Sequence, residues 1–152
     1  MSDIRLQALK EQIQRVLEQA ANASEPEAKA NLSSLACVLT SALVEVACRV
    51  YVGNYAQKRA DTSVSTYVCT RLYFFQNGKT DDITKLLRDF SSELAVKFTN
   101  SIGEQGKDAV DSVVSKKNEI VHGKGAGIGL DTMKRYHKDV LSALDKLRDL
   151  LA

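Results

Sequence analysis

Apolar side chains recur every three to four positions through most of this chain, and no stretch alternates long enough to suggest a strand. Ile4, Leu6, Leu9, Ile13, Val16 and Leu17 mark a first amphipathic helix over about 3–21. The segment "SEPE" follows. Ser24 and Glu27 have the spacing of a capping box, with Pro26 tolerated in the first turn. A long helix over about 27–59 comes next. Its middle, "ACVLTSALVEVACRVYV", is apolar almost all round, which predicts a central helix surrounded by others. That run is short for a membrane span and contains Glu45 and Arg49, so no membrane association is expected. At about 100° per residue, Ser34, Ser41, Glu45 and Arg49 fall on one narrow polar stripe. The stripe reads either as an intrahelical ion pair or as a seam lining a site.

"TSVSTYVCTRLYFF" predicts a third helix, which "NGK" breaks. Thr80 is placed to cap "DDITKLLRDF", with Asp81 and Asp82 suited to a helix N-terminus. Ser91 or Ser92 recaps a short helix to Ile102, and "GEQG" is read as the next break. A helix over about 107–121 and the loop "GKGAGIG" precede a last helix over about 131–150. Met133, Val140, Leu144, Leu147 and Leu151 share one stripe of that helix, and His137 lies among them as a core or supporting residue.

The chain of 152 residues is long enough for one domain with a sizeable core, and its 44% apolar content suits a folded protein. A single proline and no tryptophan reinforce the helical reading. Cys37, Cys48 and Cys69 are odd in number and lack CxxC spacing, which argues for buried thiols over a disulfide framework or a zinc site. The start "MSDIRLQALKEQ" has no apolar signal core. A reducing, cytoplasmic setting is expected.

A net charge of +2 rules out a uniformly basic surface, so any anion binding must be local. Charge is in fact concentrated. Between Lys107 and Lys138, seven basic against four acidic side chains leave +3, which suits a phosphate-bearing partner. At the centre is "SKKNEIVHGKGAG", Ser115 to Gly127. On a helical wheel Val110, Val113, Val114 and Val121 share a face with Lys117 in its middle, while Lys116 and Glu119 point away. A lysine on an apolar stripe must snorkel or meet an anion. Asn118 and His122, four apart, share a neighbouring face. The glycines admit two readings: a helix C-cap, or a backbone that approaches a ligand closely. The strand–loop–helix order of a P-loop is missing.

"KKNEIVHG" resembles the Arg-Asn-x-x-x-His signature of the HEPN superfamily of small all-helical domains, often found in prokaryotic toxin and defence systems. With "LACVLTSALVEVACRVYVGNYAQKRA" and "VSTYVCTRLYFFQNGKTDDITKLL" before it, the chain is similar to the RiboL-PSP-HEPN branch over roughly 33–150. The resemblance implies a single-domain all-α bundle with a long central helix, working as a homodimer. It implies a metal-independent endoribonuclease without cofactor, in which the ribose 2′-OH attacks the phosphodiester. His122 would be the general acid/base, Asn118 would orient groups, and Lys117 would occupy the arginine position. Glu45 and Arg49 would line the cleft, with Lys116 and Lys124 as further binding residues. RNA and an antitoxin or defence-system protein are the implied partners. Lysine keeps the charge of arginine but loses its planar fork. A non-catalytic module binding RNA, a nucleotide or a protein therefore stands as the alternative, beside a purely structural dimerisation domain.

Overall fold

The computed structural model describes residues 3–124 and 127–152. The described residues form six helices and no strand: α1 (Asp3–Asn22), α2 (Pro26–Arg59), α3 (Thr62–Leu72), α4 (Thr80–Phe90), α5 (Ser92–Val121) and α6 (Leu130–Leu150). The protein is an all-α bundle with a long central helix, as the apolar periodicity predicts.

The central position of α2 follows from its composition. Leu43, Val44, Ala47, Cys48 and Val52 are fully buried on different sides of it, because α1, α3, α5 and α6 all pack against it. By length and hydropathy alone α2 could cross a membrane, yet 67% of its most apolar stretch is buried inside the bundle. On α1, Leu6, Ile13, Val16 and Leu17 enter the core, whereas Ile4 is 80% exposed. The stripe expected on α6 is buried throughout, His137 with it.

Helix starts differ from expectation where proline or tertiary contacts decide. The Ser24–Glu27 capping box does not form. Pro26 fixes the first helical residue, so the cap falls on Glu25, which makes no side-chain capping bond. Asp61 caps α3 through the Val64 N–H at 3.0 Å. That helix ends at Leu72, short of the expected Phe75, because side chains of α2 and α5 hold the following segment. Thr80 is not a cap but the first residue of α4. Its N–H and hydroxyl donate to Asp111 of α5 at 2.8 and 2.7 Å. Burial alone would raise the Asp111 pKa. The Thr80 donors and the Lys107 ammonium outweigh it and hold the carboxyl below its usual range.

The expected break at "GEQG" narrows to one residue. α5 is capped by Ser91, whose hydroxyl accepts from the Glu93 N–H at 3.2 Å, and consists of two helical stretches joined at a kink where Gly103 is not helical (φ 64°, ψ −173°). Helix resumes before Lys107, the expected start. At Gly106 a Cβ would crowd that of Ile102 at 3.0 Å but make only an ordinary 3.7 Å contact with that of Ala143 on α6.

Candidate functional site

Lys117 is half-buried, and its ammonium donates to the side-chain oxygens of Asn77 and Asn118, the latter at 3.0 Å. Its place on the apolar face of α5 explains this. Val110, Val113 and Val114 on that face are buried, and the long lysine stem runs over their end to reach a polar partner. Val121, expected on the same face, lies past the core and is 62% exposed.

Asn77 joins two of the expected elements. It sits in the left-handed region (φ 52°) that asparagine tolerates. Its backbone N–H donates to Glu45 Oε1 of α2 at 2.8 Å, while its side chain receives Lys117. One turn along α2, Arg49 Nη2 donates to the Phe75 carbonyl at 2.6 Å and lies 3.9 Å from Glu45 Oε2. The Arg49 guanidinium also stands 6.0 Å from the centre of the Tyr73 ring. The polar stripe of α2 is therefore more than an intrahelical pair: it clamps the segment between α3 and α4. Ser41, on the same stripe, is buried with its hydroxyl unpartnered among the described residues.

His122 is exposed, and no described residue hydrogen-bonds its ring. Its N–H still donates to the Asn118 carbonyl at 3.1 Å, so the residue remains on the last turn of α5. The helix closes immediately afterwards. Gly123 takes φ 66°, its N–H donates to Ile120, and the Lys124 N–H donates to Glu119 at 2.8 Å. This is the paired bonding of a glycine C-cap, so Gly123 is explained by helix termination and needs no ligand. Lys124 is exposed. Gly125 and Ala126 of the expected "GKGAGIG" loop lie outside the described residues.

The structure thus joins Glu45, Arg49, Lys117 and Asn118 through Phe75 and Asn77, with His122 one turn beyond Asn118. Lys116 and Glu119 do not simply point away. They are half-buried and paired at 2.8 Å. The buried Cys37 thiol feels both charges, but burial dominates and pushes its pKa up to about 11. Cys48 is buried too, its thiol pushed up to about 12 by burial first and Glu45 second. Cys69 is half-buried, and all three cysteines are free.

His137 stands apart. It lies on α6, where Nδ1 is 3.5 Å from the Thr40 hydroxyl, and Thr40 is about 140° around α2 from Glu45. Sequence reasoning missed Asn77 and Phe75. The Asn-Gly pair at 77–78 was a signal for a turn, but not for what the turn would hold. Among the described residues no three His, Cys, Asp or Glu side chains gather to hold a metal ion. The chain matches no family model, no curated protein and no solved structure.

Proposed function

We propose that the protein is a metal-independent endoribonuclease of the toxin or defence kind, acting as a homodimer at the surface that carries Lys117, Asn118 and His122. The observation that carries this reading is the exposure of His122 at the end of the helix that anchors Lys117. A proton-transfer group must reach its substrate, and an imidazole buried in the core could not.

In the proposed reaction an imidazole removes the 2′-OH proton of a ribose. The 2′-oxygen bonds to phosphorus, the P–O5′ bond breaks, and a second imidazole gives the 5′-oxygen its proton. The products are a 2′,3′-cyclic phosphate and a 5′-hydroxyl. The Lys117 ammonium stabilises charge on the phosphate oxygens, and Asn118 fixes its direction. On an ideal helix Lys117 and His122 would be about 140° apart. A second protomer supplies the group that a single helix cannot aim at the same phosphate.

A non-catalytic RNA-binding module is the second reading. It is favoured by the Lys117 ammonium already donating to two amide oxygens, and by lysine lacking arginine's bidentate grip. The test is cleavage of a mixed RNA pool in EDTA. Wild type is expected to leave 2′,3′-cyclic ends, His122→Ala to lose about 10²–10⁴ in rate, and Lys117→Arg to keep or gain activity. RNA binding without cleavage by any of the three would leave the module.

A further inference from the structure

Tyr73 and Phe74 are 67% and 69% exposed, packed edge to face with ring centres 5.5 Å apart. Two large rings held side by side in water leave apolar surface for a partner to cover. They are not on a floppy segment. The Phe74 N–H donates to Arg71 and the Phe75 N–H to Leu72, while Arg49 grips the Phe75 carbonyl at 2.6 Å.

Beside the rings lies a groove of 710 Å³ whose lining includes Gln57, Thr66, Cys69, Thr70, Tyr73 and Phe74. No charged side chain lines it; residues bearing hydroxyl and amide groups share the lining with the aromatics. Cations stand near it instead: the Arg49 guanidinium is 6.0 Å from the Tyr73 ring, and Arg71, 5.3 Å from the ring of Tyr67, lines a second groove that shares Phe74. Four residues after Tyr73, Asn77 meets Lys117. The acidic Asp89 lines that second groove too, with Arg71 and Phe90.

From this we infer that Tyr73 and Phe74, with the neutral groove beside them, form a platform on which unpaired bases of single-stranded RNA stack while the following phosphates run toward Lys117. The inference rests on the RNA reading above and names its substrate class. A neutral, hydrogen-bonding groove edged by aromatics suits a nucleobase, and the nearby Arg49 and Arg71 suit the backbone that carries it. A duplex keeps its bases stacked on one another and cannot use such a platform. An apolar helix from a protein partner would gain nothing from the cations.

The experiment is fluorescence anisotropy with a labelled 2′-O-methyl single strand, which cannot be cleaved by its own 2′-oxygen. The same strand in a duplex and an abasic strand of equal length serve as comparisons. The double variant Tyr73→Ala/Phe74→Ala is expected to lose about 5- to 100-fold in affinity for the single strand. Binding of the duplex and the abasic strand should not change. Phe74→Leu, which keeps apolar bulk at the position, should weaken the single strand alone. Equal losses on all three probes, no loss on any, or no binding by wild type would overturn the platform. So would sedimentation showing that the double variant turns a dimer into a monomer, which would make this face a contact between copies. Cleavage of RNA at an unchanged KM by the double variant would remove the platform and leave the nuclease. Selective single-strand binding without cleavage would do the reverse.

Discussion

At 6% exposure, His137 is the more buried of the two histidines, and its environment makes a prediction about pH. Burial lowers its pKa below 6.5. In the unfolded chain the ring takes a proton near pH 6.5, while in the folded bundle it resists until lower pH. As pH falls through 6.5 the unfolded state binds more protons, and stability must drop until the folded pKa is passed. Differential scanning fluorimetry between pH 7.5 and 5.0 is expected to show Tm falling in wild type and falling less in His137→Gln. An equal slope in both would put the acid sensitivity elsewhere. Asp111 acts in a separate, lower window: its depressed pKa contributes stability that is lost only as pH falls below about 4. The two histidines were separable in the sequence by their surroundings alone, since His137 sits within an apolar stripe and His122 follows one. The sequence could not supply the partners. Lys117 finds Asn77 across 40 positions of chain, and Glu45 finds the same residue across 32. Those contacts depend on where two helices come to rest, and local periodicity carries no record of them.

Helices were legible where a single physical rule decides them. The almost all-round apolarity of α2 required neighbours on its sides, and α1, α3, α5 and α6 supply them. The boundaries that shifted are those where a competing rule won: Pro26 over the Ser24 box, and Asp111 over a Thr80 cap. Gly103 is the instructive case, because a glycine inside a long helical pattern could end a helix or only bend it. Its backbone lies in a region open essentially only to glycine. A Cβ there would meet no atom within 4 Å, so packing gives no objection to alanine and the backbone gives a strong one. Gly103→Ala is expected to destabilise the fold by about 1–3 kcal/mol in urea denaturation with an unchanged m-value. A neutral result would mean that α5 straightens without cost, and that the kink has no part in setting α4 against it.

For the whole molecule, burial limits how two copies could meet. Two copies could in principle meet by the valine stripes of their α5 helices, but Val110, Val113 and Val114 are at most 1% exposed and spent on the protomer's own core. Only Val121 remains outside, so a dimer cannot be built by pairing those stripes. If catalysis needs His122 from each of two protomers, they must approach by the exposed end of α5 and whatever surface adjoins it. The cleavage rate then carries a signature that no single-chain mechanism shares. Below the dissociation constant of the dimer, the rate should rise with the square of protein concentration. Above it, the rate should rise linearly, and the crossover should coincide with the monomer–dimer transition seen by sedimentation. Val121→Asp, at an exposed position that the core does not use, should move both to higher concentration together with little effect on Tm. A linear rate across the whole range, from a protein that sediments as a monomer, would require one protomer to supply both proton-transfer groups. With His122 the only exposed histidine among the described residues, that result would point to Lys117 or Glu45, the ionisable side chains held at Asn77, as the second group.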